Sequence, residues 1–203
     1  MNETAGTAAA LLDAARDIFA TQGYDGASVR AITTAAGANL GAITYHFGSK
    51  RQLYDEVVAS IVAPLAERVE RVVGSGGPAL SRAGAVVTTY FEYLRTNPDL
   101  PPLMMQELVL SGVPPAAVAQ PMKRVLRALS ALIAEGQEGG EVREGPVRIL
   151  GIFILSVPVH LSMMRGALET FGGVDLGSEG TFEQVVSSAR QFVEAGLRAA
   201  GVE

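Results

Sequence analysis

The stretch from Ser28 to Tyr54, SVRAITTAAGANLGAITYHFGSKRQLY, leaves the chain few choices of structure. Ser28 is a good N-cap, and residues 29–36 run without a breaker. Ile32, Ala35 and Ala36 are spaced three and four apart, so one apolar face turns inward. Gly37 supplies the residue that tolerates a left-handed conformation just past a helix end, and Asn39, two positions on, is placed to cap the next helix. Two helices joined by so short a turn must cross steeply. In the second, Ile43 and Phe47 lie four apart and face the core, which leaves Leu40, Ala42, Thr44, Tyr45 and His46 on other faces.

Charge narrows the kind of partner. The protein has a net charge of -5, yet this window holds Arg30, Lys50 and Arg51 and no Asp or Glu. Residues 1–54 carry four Lys or Arg against four Asp or Glu, so the whole acidic excess lies beyond Tyr54. A basic patch in an acidic chain confines contact with a polyanion to one surface. Ser49 is placed to cap a following helix that opens on Lys50. There an ammonium and free backbone N–H groups would meet a phosphate together. The spacing is that of a DNA-binding helix-turn-helix.

These residues resemble the helix-turn-helix of the TetR family of bacterial transcriptional regulators. The match runs through Ser28, Arg30, Ala36-Gly37, Gly41, Tyr45-His46-Phe47 and Ser49-Lys50. This chain departs from the pattern in having Thr44 before Tyr45, where the family has two aromatics, and Asn39 where Ser is common. The resemblance covers roughly the first quarter of the chain and is architectural beyond it. It implies a DNA contact set of Ser28, Arg30, Asn39, Leu40, Gly41, Ala42, Thr44, Tyr45, His46 and Lys50. It also implies a homodimer, a palindromic operator and a small-molecule effector that releases it.

Elsewhere the apolar spacing is helical throughout, and no stretch reads as a strand. Residues 7–21 form an amphipathic helix with Leu11, Leu12, Ala15, Ile18 and Phe19 inward. Residues 49–73 form a long one interrupted by Pro64. Further helices are expected over 80–96, 99–111, 115–136 and 146–170, with a last one from a Thr181 cap to Ala199. The expected architecture is all-α, about nine helices. A helix-turn-helix domain occupies residues 1–54, and a helical ligand-binding and dimerisation domain occupies residues 55–203.

The second half has no catalytic constellation, so an enzyme is not expected. With no Cys, thiol chemistry and Cys-based metal sites are absent, and a reducing cytoplasm suits the chain. The two histidines, His46 and His160, carry no HExxH or GxSxG around them. Glu135, Glu138, Glu141 and Glu144 recur among glycines and read as a solvated turn rather than a metal site, and no cofactor is expected. The longest apolar run, residues 149–164, is shorter than the ~20 residues a membrane helix needs, so it reads as a buried helix.

Met104, Met105, Phe153 and Met164, with His160 as a buried polar handle, are the candidate lining of an apolar effector pocket. Phe182, Val185, Val186, Ala189, Phe192 and Val193 are the candidate dimer surface. The function read from these features is a DNA-binding regulator, a repressor by resemblance. The competing reading is a helical ligand-binding or scaffold protein that has lost DNA affinity. Lys123, Arg124 and Arg127 read as a solvated helix face.

Overall fold

The computed structural model describes residues 2–103, 112 and 116–200. Among them the chain is all-α: α1 Asn2–Gly26, α2 Val29–Ala35, α3 Ala42–Phe47, α4 Lys50–Val73, α5 Ala79–Thr96, α6 Ala116–Glu138, α7 Val147–Met163, α8 Arg165–Gly172 and α9 Glu179–Leu197. Residues 100–103 are also helical, and most of the helix expected over 99–111 lies outside the described residues. Two compact units result: residues 1–63 with 102–120, and residues 64–101 with 121–203. The division falls inside α4, at Pro64.

The first unit is the helix-turn-helix head. Leu11, Ala15 and Phe19 of α1 are fully buried with Ile32 of α2, and Ile43 of α3 is nearly so. Gly23, at φ 73°, kinks α1 and sets residues 24–26 apart from the regular run before it. The same core continues past the helix-turn-helix window: Leu53, Tyr54, Val57 and Val58 are buried, and the Tyr54 hydroxyl donates to the Leu103 carbonyl at 3.0 Å.

The second unit is built around α5, which packs against both α7 and α9. Phe91 of α5 meets Phe182 of α9 edge-on at 6.3 Å. Burial there pushes the Tyr90 phenol up, so it stays neutral in the core. Arg82 is the buried charge of this unit. It donates to the Val73 carbonyl at the end of α4, at 2.8 Å, and pairs with Glu135 of α6. Gly136 lets α6 pass close to Val142 and Ala79, where an added Cβ would stand 2.8 Å from the Ala79 Cβ.

Several expectations are corrected. The apolar run expected as one buried helix to residue 170 breaks at Met164. There α7 and α8 meet at a 66° bend, and α8 contains Gly166 and has no fully buried residue to hold it in line. Ile149, Ile152, Phe153, His160 and Met164 are exposed rather than buried, because α7 carries apolar side chains on two faces and only one meets the core. The last helix starts at Glu179 rather than at Thr181. It stops at Leu197 because the backbone beyond turns to pair with residues 141–143: Arg143 N–H donates to the Leu197 carbonyl and Ala199 N–H to the Glu141 carbonyl, at 2.8 and 3.0 Å. Of the four glutamates read as a solvated turn, Glu135 holds Arg82, and a Glu141 oxygen accepts from the Leu80 N–H at the start of α5, at 3.3 Å. Among the described residues no single helix is long and apolar enough to cross a membrane.

Candidate nucleic-acid interface

The motif forms largely by its own local chemistry. Ser28 Oγ accepts the Ala31 N–H at 3.0 Å and so caps α2. Gly37 takes φ 63°, and the N–H groups of Gly37 and Ala38 close the helix end on the Thr34 and Thr33 carbonyls at 3.1 and 2.8 Å. The inward face of α2 differs from the expected one: Thr33 is buried and Ala35 is exposed. Thr33 tolerates this because its hydroxyl donates to the Val29 carbonyl at 3.0 Å.

Asn39 does not cap α3 with its side chain. Residues 40 and 41 form a further turn, so the helix begins at Ala42 with Gly41 in the cap position, and Asn39 contributes its carbonyl, 3.0 Å from the Ala42 N–H. Ala42, expected on the partner face, is only 6% exposed and packs inward beside Ile43. The side chains presented outward are Asn39, Leu40, Thr44 and Tyr45, with Gly41 beside them, and Ser28 and Arg30 are exposed on α2. Tyr45 is 78% exposed and Leu40 62%, too much apolar surface on a six-residue helix and the turn before it to serve packing. His46 is half-buried and meets the Tyr45 ring edge-on at 4.9 Å.

The far side of the motif is set by the start of α4. Ser49 Oγ accepts the Gln52 N–H and donates to the Gln52 carboxamide oxygen, each at 3.1 Å, an N-cap that fixes where Lys50 leaves the backbone. Lys50 Nζ then lies 4.4 Å over the ring of Tyr24. Tyr24 is itself braced by Phe19 at 6.1 Å and Tyr54 at 5.2 Å, and the Arg51 guanidinium lies 5.6 Å from the Tyr24 ring. Sequence reasoning missed Tyr24. The available signal was an aromatic in the polar turn Gly23-Tyr24-Asp25-Gly26, where solvent exposure alone gives it no reason to be. The first turns of α2, α3 and α4 contain no acidic residue, so nothing on these helix starts opposes an anion.

Residues 11–57 match the family model described as bacterial regulatory proteins, tetR family. Over these residues the chain carries a segment of the TetR family. It is 35% identical over 82 residues to the HTH-type transcriptional repressor KstR2 of Rhodococcus jostii, a match covering 40% of each chain. It is 26% identical over 195 residues to the HTH-type transcriptional regulator RutR of Escherichia coli, covering 93% of this chain and 89% of that one. The fold is that of FadR from Bacillus subtilis, solved in complex with stearoyl-CoA. That structure has a TM-score of 0.76 at 20% identity, covering 94% of this chain and 99% of the other. These relatives are named as regulators. Among the described residues no group of three or more His, Asp or Glu is placed to hold a metal ion.

For this head, Lys50→Ala is expected to weaken binding to all DNA sequences alike and to make the salt dependence shallower by about one unit of slope. Tyr24→Leu leaves the ammonium in place but removes its aromatic seat, for a smaller loss of ~0.5–1 kcal/mol. Arg30→Ala should cost ~1–3 kcal/mol and relax sequence preference, if its guanidinium reads a guanine. Fluorescence anisotropy across a salt series separates the three, and an unchanged slope for Lys50→Ala would refute the phosphate role.

The other candidate residues are scattered. Met104 and Met105 lie outside the described residues. Phe153 is 51% and Met164 41% exposed, and His160 lines an open groove between α7 and α9 with Val157, Val185, Ala189 and Phe192. The candidate dimer residues divide in the same way: Phe182 and Val193 are buried in their own unit, Val185 and Val186 are half-buried, and Phe192 is 71% exposed. The cavity between Phe91, Arg95, Ser162, Leu176 and Phe182 is about 40 Å³, room for little more than a water.

Proposed function

We propose that the protein is a homodimeric transcriptional repressor that holds a palindromic operator and releases it when a small, largely apolar effector binds. The observation that carries this reading is the outward face of the head. Leu40, Thr44 and Tyr45 stand exposed between Arg30 and Lys50 with no carboxylate on the helix starts around them, in a chain of net charge -5. That surface is suited to a major groove flanked by phosphates. A palindrome requires two heads, and a second copy is the natural cover for the α7 and α9 surface. Phe153, Ile149 and Phe192 are exposed there beside a groove of about 900 Å³. His160 and Phe153 then belong with this contact surface rather than with an enclosed pocket.

The effector class is supported by the relatives. KstR2 of Mycobacterium tuberculosis is a ketosteroid regulator, and the Bacillus subtilis neighbour was solved with a fatty acyl thioester. A ketosteroid and a stearoyl chain are both mostly apolar. In this proposal α4 carries occupancy to the head: it presents Lys50 at one end, and its last carbonyl is held by Arg82 at the other.

The test uses the wild-type protein and DNA from upstream of its own coding region. A gel shift should show a specific complex at physiological salt. A ligand that binds should lose affinity when operator is present by the same factor by which operator loses affinity for the liganded protein, typically 1–3 kcal/mol. No specific complex would favour the helical ligand-binding or scaffold protein instead, and equal ligand affinity with and without operator would remove the switch.

A further inference from the structure

A groove of about 520 Å³ lies between α6 and α7, lined by Lys123, Leu126, Arg127, Ser130, Arg148 and Ile152. Lys123 and Arg127 stand one helical turn apart and share a face of α6, and Arg148 enters from the first turn of α7. Their neighbour Arg124 is matched to Glu70 at 3.3 Å, whereas Lys123, Arg127 and Arg148 make no ion pair with any described carboxylate. Three like charges around one concavity repel one another, and this arrangement sits in a unit whose chain has carboxylates in excess. The start of α7 adds to the same sign, since no side chain caps it.

The donors are chemically selective. The Ser130 hydroxyl is already committed to the Leu126 carbonyl at 2.7 Å, which leaves one ammonium and two guanidiniums facing the groove. Guanidinium forks match phosphate oxygens two at a time. Leu126 and Ile152, the latter 45% exposed, supply apolar walls on which a flat or apolar body can lie. We propose that this groove is a small-molecule site for a nucleoside diphosphate or an ester of one, with the diphosphate across Arg127 and Arg148 and Lys123 closing the charge. The site is independent of what the head binds.

The test is titration calorimetry of ADP into the full-length protein at low salt, with pyrophosphate as competitor. Saturable binding is expected at one site per chain. Affinity should fall by more than about tenfold in the Arg127→Gln, Arg148→Gln double variant and stay unchanged in Lys50→Gln. Both arginines are exposed and outside the core, so the double variant is expected to keep the wild-type melting curve. Four results would each overturn the proposal: no saturable heat at about 1 mM ADP, equal affinity in the double variant, loss of binding in Lys50→Gln, or a double variant that changes the oligomeric mass while still binding ADP. The last would mean that the cations serve a second copy of the chain.

Discussion

Phe192→Glu is expected to give monomers that no longer hold operator DNA, while each subunit keeps its fold. Phe192 is 71% exposed on its own chain and lines the α7–α9 groove, so the substitution leaves the subunit core alone. In a two-fold interface the new carboxylate is introduced twice. Burying an unpaired charge costs several kcal/mol after relaxation, so about 4 kcal/mol would raise the dimer dissociation constant by roughly a thousandfold. Sedimentation should report the lower mass, and circular dichroism should report an unchanged melt. Phe182→Glu is the contrasting variant: Phe182 is 7% exposed and packs on Phe91, so it should unfold the second unit rather than separate two intact subunits. A wild type that is monomeric by light scattering at micromolar concentration would sink the dimer proposal outright.

The second large effect is expected at Arg82. Its side chain is 8% exposed, bonds the Val73 carbonyl at 2.8 Å and is paired with Glu135. Arg82→Met keeps the aliphatic stem but strands the carbonyl and leaves Glu135 without its cation. A loss of up to ~3 kcal/mol is expected from removing the buried donor of a charge-assisted hydrogen bond and stranding the carbonyl it held. For a chain of this size that is roughly 6–12 °C in melting temperature. Glu135→Gln should cost much less, about 1 kcal/mol, because Glu135 is 61% exposed and water screens it. A thermal melt in which the two variants lose equally would show that the carbonyl contact contributes little.

What could be read from the sequence was what neighbouring residues decide among themselves. The Ser28 and Ser49 caps, the Gly37 turn and the exposed Tyr45 all depend on contacts within four residues, and all are present. The misreadings have one physical origin, namely that apolar spacing identifies a helix face but not what covers it. On α9 the list from Phe182 to Val193 merged two faces: Phe182, Ala189 and Val193 serve the subunit core, while Phe192 points away from it. On α7 the same merging placed His160 and Phe153 inside. Roles that join distant positions were also invisible: Arg82 with Glu135, Glu141 at the start of α5, and Tyr24 beneath Lys50. The start of α3 was misplaced because Asn39 and Gly41 are both plausible caps, and the turn at residues 40–41 decides between them.

The placement of α5 between α7 and α9 bears on how the chain is made. During synthesis α5 leaves the ribosome with Val86, Val87 and Phe91 ready for burial, but its partner α9 begins at Glu179, more than eighty positions later. At bacterial elongation rates that gap lasts on the order of ten seconds. The hydrophobic side of α5 therefore stays uncovered far longer than helices take to form, and a nascent chain stalled before residue 179 would display it to chaperones. The head meets most of its partners within the first sixty-odd residues. The protein is thus born with its first unit nearly complete and its second core waiting on α9.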